Sequence, residues 1–192
     1  MTPLTCMRRL VPLLATFLMI ACGEPSVSYC KKAADINAEY SEISDALAER
    51  LLKLKKNPTL PGLEESSRQA AKILKDRDEN LADLSTRDVD PDLVAFVEED
   101  RKLFARGREL AEHYQQYFEK YLKGGPELTP DPVRAASKIG RGRQEVRKIL
   151  NAARTLEERA ENLRKEKSAA YGTELPPLHF RLPDMKELLS NR

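Results

Sequence analysis

Few residues in this 192-residue chain have a type and spacing that could do chemistry. Three thiols stand at Cys6, Cys22 and Cys30, and two imidazoles at His113 and His179. Three cysteines cannot build a disulfide framework, so each is read by its own surroundings. Cys22 directly follows an apolar run, Leu10 to Ile20, and the small Ala21, and a thiol there is a nucleophile open to alkylation. With the Cys22 sulfur spent in that way, Cys30 has no partner in its own chain, which makes it a candidate for an intermolecular disulfide in a homodimer. His113 has Glu109 and Glu112 beside it, but a di-iron bundle needs Glu-x-x-His from two helices; position 110 is Leu, and the bundle has no second His. No metal, cofactor or catalytic set is therefore expected: there is no paired-cysteine metal motif, no phosphate loop and no serine elbow. Ile139-Gly140-Arg141-Gly142-Arg143 has only two glycines and no strand before it.

One charged cluster stands out. Arg134, Lys138, Arg141, Arg143, Arg147 and Lys148 surround a single acid, Glu145. Cations near a helix N-terminus oppose its dipole, so these are candidates for contact with anions: lipid headgroups, lipopolysaccharide or an acidic partner. The plainer reading is a solvated face paired with Glu109, Glu112 and Glu119 of an antiparallel neighbour.

The elements that must position these residues are helices. Charged residues make up 33% and aromatics 6%, with no Trp, which suits long amphipathic helices better than a sheet sandwich. Tyr29, Ala33, Ile36, Tyr40, Ile43, Leu47, Leu51 and Leu54 recur at intervals of three and four, and Asn57-Pro58 with Pro61-Gly62 ends that helix. A second helix runs from about Leu63 to Leu84, with Ala70, Ile73, Leu74, Leu81 and Leu84 inward. Asp90-Pro91 supplies an N-cap and a first-turn proline for the third, whose stripe from Leu93 to Tyr121 stops at Gly124-Gly125-Pro126. Thr129-Pro130-Asp131-Pro132 opens the fourth, and Ala135, Ile139, Gly142, Val146, Ile149, Ala153, Leu156, Ala160 and Leu163 form a heptad seam. The expected fold is all-α: an elongated antiparallel four-helix bundle over residues 29–171 with coiled-coil-like packing. The alternative is a three-helix, spectrin-like bundle with the second helix peripheral.

Residues 172–192 form a Pro-rich tail. Leu175 to Pro183 must be extended, and Asp184 caps a short last helix with Met185, Leu188 and Leu189 on one side. Such a tail either packs across the bundle or serves as a docking peptide. Tyr29, Tyr40, Tyr114, Tyr117 and Tyr121 either fill the core or line a ligand groove.

At the N-terminus, Arg8 and Arg9 precede the 11-residue apolar run, which is too short to span a bilayer and has the length of a secretory signal. A start at Met7 would leave Cys6 untranslated. Met19-Ile20-Ala21-Cys22 resembles the lipobox of bacterial lipoproteins, although Met19 stands where Leu is commoner. The resemblance implies a signal peptide over 1–21, cleavage between Ala21 and Cys22, lipidation of the Cys22 thiol, and a tether over 22–28. Two or three acyl chains would hold far better than the marginal grip of one. Gly23 follows in place of the Asp that retains such proteins in the inner membrane of enteric bacteria, so the outer membrane is favoured over the inner in a diderm.

Arg8 and Arg9 are the only charges before Cys22, which leaves 31 basic against 31 acidic residues beyond it. That balance argues against a nucleic-acid partner. The expected role is a non-enzymatic envelope lipoprotein acting as a scaffold, interaction module or assembly accessory for another envelope protein. The alternative is a bundle that binds a small molecule or lipid between its helices. A fully packed seam would favour the first, and an apolar cavity the second.

Overall fold

The computed structural model describes the backbone of residues 4–123 and 132–183, and the side chains of residues 23–120, 123 and 141–183. Four helices account for most of it: α1 Leu4–Lys56, α2 Leu60–Ala82, α3 Pro91–Leu122 and α4 Pro132–Tyr171. Their ends follow local chemistry. Thr59 caps α2, its hydroxyl accepting from the Gly62 N–H at 3.2 Å with Pro61 in the first turn. Asp90 does the same for α3, accepting from the Asp92 N–H at 2.9 Å. Beyond α4 the chain turns at Gly172 with φ +64°, the left-handed position that glycine reaches without a Cβ clash.

The fold is an all-α four-helix bundle. Contacts across it run in opposite chain directions. Asn37 and Arg50 of α1 meet Arg77 and Gln69 of α2, Asp78 of α2 meets Arg101 of α3, and Asp92 and Glu99 of α3 meet Lys167 and Arg159 of α4. Each helix is thus antiparallel to the one before it. The most extensive packing is α2 on α3, so α2 is no peripheral element and the three-helix alternative falls. Helices α1 and α4 barely touch. The tail lies in that gap, with Leu175, Leu178 and Phe180 all buried.

Three local expectations need correction. The segment after Cys22 is no tether: it is helical, and Gly23 and Ser26 are already buried. Pro25 costs α1 a backbone hydrogen bond, and the packing of Ser26, Tyr29, Cys30 and Ala33 around it holds the helix through. Ile43 points outward at 42% exposure, because the inward face of α1 carries Asn37, Ser41 and Ala48. The seam of α4 is unevenly packed among the described residues: Gly142, Leu156 and Ala160 are buried, whereas Val146, Ile149, Ala153 and Leu163 are half-buried. The short helix expected after Asp184 lies outside the described residues. Among the described residues no helix is long and apolar enough to cross a membrane.

A polar knot closes the end of the bundle nearest Gly23. Ser26 accepts from the Asp90 N–H at 2.9 Å, Tyr171 donates to Asp90 at 2.7 Å, and Lys167 bridges Asp90 and Asp92 at 2.8 and 2.7 Å. Burial alone would raise the Asp90 carboxyl. The bonds from Lys167, Tyr171 and the Asp92 N–H outweigh it and hold Asp90 below its usual value. Burial, and the hydrogen bond to Asp90, push the Tyr171 hydroxyl up to about 12. A depressed carboxylate stabilises the fold fully above its unfolded pKa, and this stabilisation is lost as pH falls through the folded value. Thermal melts should therefore show a declining midpoint below about pH 4. Asp90→Asn should cost about 1.5–3 kcal/mol at neutral pH and blunt that acid decline. An unchanged acid profile in Asp90→Asn would count against this role for the knot.

Candidate ligand-binding groove

The deepest burial of charge lies at mid-bundle. Arg77 of α2 is 0% exposed and pairs with Asp100 of α3 at 2%. Its Nε donates to Asn37 Oδ1 at 2.9 Å, and the Asn37 amide donates onward to the Leu178 carbonyl of the tail at 2.7 Å. The guanidinium also sits 4.9 Å from the Phe104 ring centroid and 4.6 Å from that of Phe180, while the two rings meet edge to face at 4.9 Å. One cation thus joins α1, α2, α3 and the tail. Beside it, His179 Nε2 lies 3.4 Å from Glu157 of α4, and Arg181 pairs with Asp45 of α1 at 2.6 Å.

Phe104 and Phe180 form the floor of a groove of about 270 Å³ that opens from this node toward the far end of the bundle. Leu47, Ala48 and Leu51 of α1 wall one side, and Val146, Ile149 and Leu150 of α4 the other. Ala70 and Ile73 of α2 with Gly107, Leu110 and Ala111 of α3 lie between, and Leu182 and Pro183 of the tail close the edge. The groove lies between α1 and α4, which barely touch. At Gly107 an added Cβ would come within 3.2 Å of Leu74, so the absence of a side chain lets α3 lie close on α2. At Gly142 an added Cβ would collide with the Tyr114 hydroxyl, which packs on the Gly142 backbone at the groove's far end.

The lining is mostly apolar, with Ser44, Ser66, Ser67 and Tyr114 among it. Ser66 of α2 is 2% exposed, and among the described residues its Oγ has no hydrogen-bond partner. A mid-helix serine normally satisfies its hydroxyl on the carbonyl four residues back. An orphaned buried hydroxyl costs about 1–3 kcal/mol, so it asks for an explanation. A second cleft, between α3 and α4, is larger at about 420 Å³, but the Glu99–Arg159 pair and Asp92 make it polar.

The sequence-expected residues distribute unevenly around this groove. Tyr114 lines it, whereas Tyr29 and Tyr40 are buried in the core. Arg141, Arg143, Arg147 and Lys148 are exposed on α4, and Lys148 pairs with Glu145 at 2.7 Å. The side chains of Ala21, Cys22, Tyr121, Arg134 and Lys138 lie outside the described residues. Cys30 is 0% exposed inside the core, and burial pushes its thiol up to about 12. A second copy could reach that sulfur only if α1 opened, so the expectation of an intermolecular disulfide gives way to a small, inert core residue. His113 is exposed and meets Tyr114 edge to face at 5.8 Å. Of the two tail readings, residues 175–180 follow the intramolecular one. Sequence reasoning missed Arg77, Asp100 and Ser66, since polar residues between apolar ones look like surface. The nearest signal was Arg77 lying four residues before Leu81 and four after Ile73, on the inward face.

Comparison with protein-family models, curated proteins and solved structures gives no match for this chain.

The node generates a direct test. Arg77→Ala leaves Asp100 buried and unpaired, which should cost about 3–5 kcal/mol, whereas Arg77→Met with Asp100→Leu should recover most of the loss. Limited proteolysis should cut after Gly172 in Arg77→Ala and not in the wild type, because the tail loses the cation beneath Phe180. Equal protease resistance in both would show that the tail is held without Arg77.

Proposed function

We propose that this protein is a lipid-anchored, non-enzymatic binding module of the bacterial envelope, held by Cys22 and taking an apolar ligand into the groove between its helices. One observation carries the ligand part: an apolar groove of about 270 Å³ at the point where a fully packed seam would have favoured a scaffold. Its size is close to the lower end of small-molecule sites, and its floor is fixed by a fully buried cation. The anchoring part rests on Met19-Ile20-Ala21-Cys22. With α1 packed from Gly23 onward, an acylated Cys22 would hold the Asp90 end of the bundle close against the bilayer and turn the groove's far end away from it.

The groove is tested with an uncharged fluorescent probe, N-phenyl-1-naphthylamine, added to the full-length protein in lipid nanodiscs, with empty nanodiscs as the blank. Saturable enhancement above the blank is expected, and it should be lost in Ala111→Trp, which fills the groove. Enhancement equal to the blank, or undiminished in a folded Ala111→Trp, would sink the ligand reading.

The anchor is tested separately by metabolic labelling with a fatty-acid analogue. The wild type should incorporate label and begin at Cys22, and Cys22→Ser should do neither, because transfer needs a thiol. An unlabelled wild-type protein beginning at Gly23 or later would end the lipoprotein assignment.

A further inference from the structure

The tail reaches the groove travelling along it. The Leu178 carbonyl accepts from Asn37 of α1, and three residues later Arg181 pairs with Asp45, about two helical turns further along α1. Leu182 and Pro183 then line the groove together with Leu47, Ala48 and Leu51, the next turns of the same helix. The strap therefore runs parallel to α1 and points toward the groove's Tyr114 end. From Phe104 to Tyr114 the groove follows α3 for ten helical residues, about 15 Å.

Beyond Pro183, residues 184–192 lie outside the described residues, but their sequence carries a pattern. Asp184 is a helix N-cap, and in the helix it opens Met185, Leu188 and Leu189 share one side. Lys186, Glu187, Ser190 and Asn191 take the other. From Asp184 to Leu189 such a helix is about 8 Å long, well inside the length of the groove. Met185 is two residues past the groove's edge, at most about 7 Å away. A helix this short is marginal in water by itself and needs an apolar surface to lie on. The groove, with Pro183 already at its edge, presents one. An engineered cavity of about 150 Å³ holds benzene, so a groove of about 270 Å³ has room for roughly two or three aliphatic side chains.

We propose that residues 184–189 form a short helix that seats Met185, Leu188 and Leu189 in the groove, so that the chain's own tail occupies the site an apolar ligand must take. The seating stands on the strap's direction and the segment's spacing; its effect on a ligand rests on the ligand reading above. Two residues join Met185 to a strap already fixed by Phe180 and Leu182, so the effective concentration of the plug far exceeds that of a second copy's tail. An apolar ligand binds by displacing the plug, and its apparent affinity falls in proportion to the time the groove is open. A plug seated nine-tenths of the time weakens that affinity about tenfold.

Amide hydrogen exchange in the full-length protein tests the seating without any ligand. In the docked helix the Leu188 and Leu189 N–H groups bond the carbonyls of Asp184 and Met185, and they should exchange about tenfold slower than in an unfolded chain. In a folded Ala111→Trp, which fills the groove, that protection should disappear. Random-coil exchange in the wild type, or protection that survives Ala111→Trp, overturns the plug. Protection that fades on dilution assigns the groove to the tail of a second copy and overturns it as well. N-phenyl-1-naphthylamine then tests the consequence. A chain shortened to end at Pro183, and the full-length chain with Leu188→Asp and Leu189→Asp, should each bind the probe about tenfold more tightly than the wild type. Equal affinity in all three overturns the plug and leaves the ligand reading standing. A probe that binds none of them removes the ligand reading, while the exchange rates still decide the seating.

Discussion

The bundle is organised around one expensive interaction, the pairing of Arg77 with Asp100 where water is excluded. Taking two charges out of water costs several kcal/mol each, and their attraction offsets this only when the remaining donors also find partners. Here they do. Asn37 accepts from Nε, and two aromatic faces cover the guanidinium plane. Because the pair is useless in any other register, it selects one alignment of α2 on α3. Through Asn37 it also selects the height of α1, and through the Leu178 carbonyl and the Phe180 ring it fixes the path of the tail. Breaking a buried pair of this kind costs far more than the intact pair contributes, since the partner is left charged and unpaired.

The tail follows from the same constraint. A four-helix bundle normally closes by packing its first helix on its last, yet α1 and α4 hardly meet. An extended strand is thinner than a helix and carries side chains to both faces, so it can fill a gap too narrow for a fifth helix. Leu175 and Leu178 fill the half of the gap nearer Gly172, and Phe180 completes the aromatic clamp. Past Phe180 the tail rides higher: Arg181 is exposed and Leu182 half-buried. The groove begins beside Phe180, with Leu182 and Pro183 at its edge.

Much of this architecture could be read from the chain, and the parts that could not share a cause. Helix boundaries came through because Asp90-Pro91, the Pro58–Gly62 turn and Gly172 act locally, on backbone geometry that no distant contact needs to supply. The α4 stripe at Leu156 and Ala160 was readable for the same reason. Arg77 was not, since nothing near it in sequence announces that Asp100 and Phe180 will arrive from 23 residues and about a hundred residues away. The groove was invisible too. It is made of ordinary core residues, and only their failure to meet across the bundle distinguishes Val146 and Ile149 from Leu156. The tether misled because Gly23, Pro25 and Ser26 look like a linker, whereas Asp90, 64 positions on, makes Ser26 a core residue.

The two ends of the molecule are therefore built for different work. At the Gly23 end, Lys167, Asp90, Asp92, Tyr171 and Ser26 bond one another and tie α1, α3 and α4 into a rigid unit. At the opposite end lies the apolar groove, and there Ser66 has no hydrogen-bond partner among the described residues. Satisfied polar networks rigidify, and unsatisfied ones mark where something else completes the structure. The Arg77 node lies between the two and separates them. It lets one half of the bundle pack without compromise while the other stays open, and it keeps the cost of that opening from spreading into the core. An orphaned hydroxyl and an apolar groove are each destabilising, and among the described residues both fall in the half of the bundle away from the Asp90 knot.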